Sequence, residues 1–494
     1  MMPRASLAGI RKQKTLPPLQ TGAGLGEPTL RSLARRELLV LRPDSSIRDA
    51  LFALNQADVK AGIVADNPAI PLGVVTLHDL VKALTLEKAG LGDPCFGFMI
   101  AAPVTLPVDA SVHRAQVTMT RRRLSHLVLT ETDGRPCNLL MPEDLPGFRD
   151  GGAEQLVERI DVAGNVDSMA RAASEVRERG YELYLSGMGM ESLSRWMSNL
   201  NDLICIRVIE LVADEYDLPP VSWCWMVFGS QGRLEQGFAS DQDNGLVFEP
   251  DNASDTQVIR EAMLPFAKAV NRALDTCGFM LCPGDIMAGN AAWCLSTDEW
   301  RRRFGAWIEE PDPAALLNAS IFFDFRPLYG QDDLVDDLRH WLLPQPARSP
   351  RFLRAMAEQA LSCRLTLGWF GNLSYDGGHL HPKTLDLKTR GTRLFVDAAR
   401  IWALQHRVWA TSTVERLRAV GPLIKRQGAD TAASIEAFDF LQRLRIQRQL
   451  AGGTYEEINR VNPPGLTRPQ RMMLKESLKQ AKLLQLRLAQ EFVH

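Results

Sequence analysis

The sequence has no run of roughly 18 apolar residues that could cross a bilayer, no close cysteine pairs and no excess of charge of either sign. Its 57 Lys and Arg stand against 59 Asp and Glu. The first absence excludes a helical membrane protein, and the near-neutral balance excludes a polyelectrolyte binder over the chain as a whole. The eight cysteines are scattered, which excludes a metal ribbon, a redox motif or a disulfide scaffold. Cys277 and Cys282 lie closest together but have no second ligand pair, so they read as ordinary buried thiols. No acid precedes Glu27, and no apolar stretch of the secretory kind occurs there. Residues 1–28 therefore read as a disordered basic tail, and a cytoplasmic location is expected.

Charge is uneven along the chain. Beyond Trp341 there are 24 Lys and Arg against 12 Asp and Glu. Aromatic and basic residues are not interleaved as in dedicated RNA modules, so the excess reads as solvated helix faces and nucleic acid is not an expected partner.

A chain of 494 residues exceeds one hydrophobic core, and several domains are expected. A repeat opens it. Leu41, Asp44, Ser46, Ile47 and Ala50 recur as Leu106, Asp109, Ser111, Val112 and Ala115, an offset of 65 residues, and Asp79-Leu80 recurs as Asp144-Leu145. Such self-similarity marks a duplicated supersecondary unit over residues 29–150. Each copy reads as a short strand, a Ser-capped helix, one or two apolar strands and a closing helix.

The first copy ends Gly73-Val74-Val75-Thr76-Leu77-His78-Asp79-Leu80, and with this ending the duplication resembles a CBS pair. The resemblance implies an adenine nucleotide ligand, with Thr76 and Asp79 on ribose and phosphate and Asp144 as the second-copy counterpart. Chemically, a carboxylate can accept from ribose hydroxyls while Thr and a helix start receive phosphate. The second copy has Met141-Pro142 where the first has Thr76-Leu77, so one competent site is expected rather than two. Helix capping by Asp79 and Asp144 would explain the same residues.

Residues 151–220 show helical periodicity, as in Leu193, Trp196, Met197, Leu200, Leu203, Ile204 and Val208, and read as a helical connector ended by Leu218-Pro219-Pro220. The core, 221–340, begins with a strand-like run from Val221 to Phe228 that stops at Gly229-Ser230-Gln231-Gly232-Arg233. A glycine lets backbone approach a phosphate, and Ser230 with the following amides can cradle its oxygens. Then comes Ser240-Asp241-Gln242-Asp243-Asn244, leading into a second apolar run. On a strand, residues two apart share a face, so both carboxylates project together. Such a pair repels unless a cation lies between, and Mg²⁺ or Mn²⁺ with an NTP fits that need.

Phe228 to Gln236 followed by Asp241 to Asn244 resembles the polymerase-beta nucleotidyltransferase superfamily. Within it, the match is to the CBS-bearing branch related to the uridylyltransferase of the PII signalling protein. The resemblance implies phosphate binding by Gly229 and Ser230, metal binding by Asp241 and Asp243, and a third carboxylate from a later strand. Asp285 is the nearest candidate for that carboxylate, with Asp324 as the fallback unless it pairs with Arg326. Arg233 is a candidate phosphate ligand, or else a partner of Glu235 or Asp241.

Residues 341–494 read as a helical bundle resembling the same family's substrate-binding domain. Lys388 and Arg400 are placed to reach a triphosphate or acidic acceptor, with Asp386 orienting Lys388. His379 and His381 read as loop histidines. The fold class is thus α+β and multidomain: an α/β CBS pair, a core of mixed sheet with helices, and a helical bundle. The expected activity is transfer of UMP or AMP from NTP to an acceptor hydroxyl on a protein, by a two-metal mechanism under adenine nucleotide control. The alternative is a catalytically degenerate nucleotide sensor. A homodimer through the CBS pair or the C-terminal helices is expected, with no membrane partner.

Overall fold

The structure, a computed structural model, describes residues 30–33, 38–67, 70–108, 110, 112–121, 124, 126–131, 133–145, 153–363, 367, 373–376, 378–454 and 457–493. The expected basic tail lies outside them, as do Asp109 and Ser111 of the repeat. The described residues divide into two compact units, one within 25–157 and one within 158–494.

In the first unit the duplication is visible as paired topology. Strands β1 (Val40–Leu41), β2 (Ala61–Val64), β3 (Gly73–Thr76) and β4 (Ile100–Ala101) form one sheet in that order. Strands β5 (Thr105–Pro107), β6 (Leu127–Thr130) and β7 (Pro136–Leu140) form another. In each, the first strand runs parallel to the second, which is antiparallel to the third. The largely apolar β2 and β6 are covered on both faces: Ile63, Val74, Val128 and Leu139 make one small core between the sheets, while Val64 and, in the other copy, Leu127 and Leu129 pack into separate cores.

The copies differ where the sequence differs. Thr76 caps the helix Leu77–Thr85 through a reciprocal box with Asp79. In the second copy Asp144 accepts from the Met141 amide at 2.9 Å, but Pro142–Asp144 is only a 3-10 turn. The closing helix expected there does not form among the described residues.

The helix Ala153–Val162 crosses the division, and Val166–Leu185 and Met190–Ala213 follow it in the second unit. A four-stranded mixed sheet follows, in the order β10 (Cys294–Ser296), β9 (Asn244–Glu249), β8 (Ser222–Val227), β11 (Arg326–Gly330). β8 is antiparallel to both β9 and β11, and β9 is parallel to β10. Helices Arg393–Gln405, Thr413–Leu423, Gly428–Ala451 and Arg468–Leu488 make the bundle, tied by a short pairing of β12 (Leu385–Asp386) with β13 (Arg460–Val461). One hydrophobic core runs from Cys224 and Phe228 of the sheet side to Trp402, Leu441 and Leu484 of the bundle.

Candidate active site

The turn after β8 is made by Gly229, at φ +53. A Cβ there would meet the Asp243 carboxylate at 2.5 Å, so glycine is required both by the left-handed backbone and by the close approach. The turn continues as one helical turn, Gly229–Gly232, closed by Arg233 N to Gly229 O at 3.0 Å. At Gly232 a side chain would collide with the Asp324 carbonyl.

Asp241 and Asp243 do not lie on β9 but in the extended segment ahead of it. Asp241 bridges to Met280, and Phe228 N donates to Asp243 O at 2.9 Å. Alternation still holds, with Gln242 and Asn244 buried and the two acids lying beside one another. Burial first, and the charge of Asp241 second, raise the Asp243 carboxyl to about 6. The Cys282 thiol donates to Asp243 Oδ1 at 3.3 Å, and burial together with Asp243 pushes that thiol up to about 11, so it stays protonated. Lys388 Nζ comes within 3.6 Å of Asp241 Oδ2 from the far side of the sequence. It starts a π-helical turn, Lys388–Thr392, of the kind often found at functional sites. Asp386 accepts from the backbone amides of Lys388 and Thr389 at 2.8 and 3.0 Å and so orients the turn that carries Lys388.

The donor set suits a hard divalent cation. Two carboxylates, one stripped of water and reluctant to ionise beside the other, gain most when such an ion replaces the proton. Asp285 is not brought to them. It adopts φ +53, its carboxylate accepts from Asn290 Nδ2 at 2.9 Å, and its carbonyl holds the Trp293 indole at 3.0 Å. Among the described residues no group of three His, Cys, Asp or Glu side chains is arranged to hold a metal ion.

Asp324 has a different place. It is fully buried, and Arg400 (2.6 Å), Arg416 (2.5 Å) and Arg233 (2.8 Å) converge on it. Burial alone would raise its carboxyl, but Arg400, Arg416 and Arg233 together hold it well below the usual carboxylate range. Arg233 and Arg400 are thus spent on ion pairs, Arg233 also bonding Glu235 at 2.8 Å. Arg326 pairs with Asp202 at 2.7 Å, not with Asp324. The sequence reads Cys282 only as an ordinary buried thiol and gives no site role to Arg416 or to the buried amides at 242, 244 and 271. The only local signal, for Asn271 and Arg416, was a polar residue on the apolar face of a helix, which must find partners when buried.

Three family profiles match, in chain order. "CBS domain" covers residues 30–86 and 95–145, "Putative nucleotidyltransferase DUF294" covers 174–314, and "Putative nucleotidyltransferase substrate binding domain" covers 350–492. The chain belongs to the CBS-pair nucleotidyltransferase family. This nucleotidyltransferase has the turn, the acid pair and β9 inside the second match and Lys388 inside the third. Among solved structures, a CBS domain protein of Pyrobaculum aerophilum complexed with AMP is 24% identical over 26% of this chain and 99% of its own, with a TM-score of 0.23. A CBS-domain protein of Agrobacterium tumefaciens is 24% identical over 24% and 96%, with a TM-score of 0.22. No curated protein matches the sequence. No described helix of this nucleotidyltransferase is long and apolar enough to cross a membrane.

The raised Asp243 carboxyl gives a pH prediction with a definite sign. A folded value of about 6 above an ordinary value of 3.8 means that the folded state binds the extra proton. Metal-free stability therefore declines as pH rises from about 4 to about 6 and levels off above. Proton and cation compete for the same oxygens, so stabilisation by Mn²⁺ is expected to be small below about pH 5 and full above about pH 6.5. Thermal melts with and without Mn²⁺ across this range check it; a Mn²⁺ increment independent of pH would contradict it.

Proposed function

We propose that this protein transfers a nucleoside monophosphate, UMP or AMP, from an NTP to an acceptor hydroxyl, and that adenine nucleotide at the CBS pair regulates the transfer. The observation that carries the reading is the meeting of three parts distant in sequence: the Gly229-Ser230 turn, the Asp241 and Asp243 carboxylates, and Lys388. Gly229 and Ser230 receive phosphate oxygens at the turn, and Lys388, held beside Asp241 with its side chain 42% exposed, is the cation that would meet the triphosphate. Asp241 and Asp243 are the residues that would hold Mg²⁺ or Mn²⁺, which when bound neutralises triphosphate charge and acidifies the attacking hydroxyl, in a one- or two-ion arrangement. The twofold excess of basic over acidic residues beyond Trp341 favours an acidic acceptor surface, in keeping with a protein substrate of the PII kind and a role in cytoplasmic signal transduction.

In the CBS pair, Thr76 and Asp79 are occupied with each other through 2.7 and 3.0 Å bonds, leaving Asp79 Oδ1 for a ribose hydroxyl; Asp144 is the counterpart in the second copy. A homodimer is retained as part of this reading. The lack, among the described residues, of a metal-holding group of three His, Cys, Asp or Glu side chains favours one alternative, a nucleotide-binding sensor without turnover.

The test is one assay. Full-length protein with Mn²⁺ and each labelled NTP is expected to release pyrophosphate and to label an acceptor, at a rate that changes when AMP is added. NTP binding with no pyrophosphate from any NTP would establish the sensor instead. A rate indifferent to AMP would remove only the regulatory half.

A further inference from the structure

Between the two acids lies a buried side chain that no cation could touch. Gln242, 2% exposed, points away from the carboxylates into a closed set of amides. Its Nε2 donates to the Asn271 and Phe279 carbonyls, both at 2.9 Å. Its Oε1 accepts from Asn271 Nδ2 at 2.8 Å and from Asn244 Nδ2 at 3.4 Å. Asn271 Nδ2 also reaches Asn244 Oδ1 at 3.0 Å. The remaining oxygen capacity is turned on the following loop, Ala288 N donating to Asn244 Oδ1 at 2.8 Å and Gly289 N to Asn271 Oδ1 at 2.9 Å.

Three amides, each at most 4% exposed, thus satisfy one another and four backbone groups. Apolar side chains of the same size would fill this space at lower desolvation cost. What they lack is direction. Hydrogen bonds of this geometry pin the extended segment Ser240 to Asn244 against the helix Thr256–Thr276 and against the loop that carries Cys282 and Asp285, fixing which way Asp241 and Asp243 face.

We propose that Gln242, Asn244 and Asn271 are positioning residues of the active site, setting the separation and aim of the carboxylate pair. This rests on the reading of Asp241 and Asp243 as the residues that hold the divalent cation. Gln242→Met keeps length and bulk while removing every amide bond. Its folded chain is expected to bind Mn²⁺ about 10- to 100-fold more weakly than the natural chain.

The measurement is a Mn²⁺ titration of the full-length protein followed by electron paramagnetic resonance, with circular dichroism to confirm folding. Asn244→Ala, a smaller change, carries the test should Gln242→Met fail to fold. A folded variant with unaltered Mn²⁺ affinity, or one whose only change is a lower melting temperature, overturns the proposal. The double variant Asp241→Asn with Asp243→Asn separates the two levels. If it too retains Mn²⁺, the cation site itself has been misassigned; if it alone loses Mn²⁺, only the positioning role falls.

Discussion

Replacing Asp241 and Asp243 together by Asn is expected to cut pyrophosphate release by roughly a thousandfold or more, because several kcal/mol of charge stabilisation depend on those oxygens and each 1.4 kcal/mol is a factor of ten. The change is nearly isosteric, and the backbone contacts that hold the segment, Phe228 N to Asp243 O at 2.9 Å and Gln242 N to Met280 O at 2.9 Å, are unaffected. The same variant is expected to melt higher than the natural chain when both are metal-free above about pH 6. Asp243 carries a charge there that burial and Asp241 oppose, and an amide relieves both. Loss of activity with gain of stability is the signature of a functional site, and it cannot be produced by misfolding. Steady-state pyrophosphate assays and melting curves on one preparation read both; unchanged turnover would end the assignment.

The largest effect on stability is expected from Asp324→Asn. Removing that charge leaves Arg233, Arg400 and Arg416, of which Arg400 and Arg416 are at most 3% exposed, without the anion they share. Breaking a buried ion pair typically costs about 3 to 5 kcal/mol, because the surviving charge remains desolvated. Denaturant titration at pH 7 should show that loss, whereas Glu358→Gln, which breaks the exposed pair with Arg354, should change nothing measurable. The pH dependence follows from the lowered carboxyl of Asp324. A depressed folded value contributes stability that is fully present above the ordinary value of about 4 and is lost as pH falls below it. The gap between the natural chain and Asp324→Asn should therefore narrow below about pH 4. A gap that is small at pH 7, or constant with pH, would show that the arginines are held by other groups.

These three aspartates also show what could be read without the structure. Asp241 and Asp243 were legible because their spacing is local: two acids with one residue between them, entering an apolar run just after a Gly-Ser turn. The duplicated first unit was legible for the same reason, its matches being fixed by position within each copy. Asp324 was not. It looked like a spare carboxylate, and the arginines that claim it stand 76, 91 and 92 residues away, distances over which periodicity says nothing. Lys388 was named as a triphosphate ligand, but its contact with Asp241 depends on a π-helical turn that no pattern announced. Asp285 shows the converse: a plausible residue at a plausible spacing whose backbone turns through φ +53 and gives its carboxylate to Asn290. In the second CBS copy Pro142 marked the departure correctly, and its 3-10 turn follows from the missing Thr.

The convergence on Asp324 has a consequence for how the chain is made. During synthesis Asp324 emerges with Arg233 already folded or folding nearby, while Arg400 and Arg416 are still to be translated. Until they arrive the carboxylate has one of its three guanidinium partners, and a nascent core could bury it only at a penalty. The sheet, its turn and the acid pair are therefore expected to close only once the bundle is present, because the hydrophobic core they share also extends to Leu484. Family profiles that end at 314 and resume at 350 trace how the sequence is inherited. The seam between them is not one at which the polypeptide, leaving the ribosome, could pause as a finished fold.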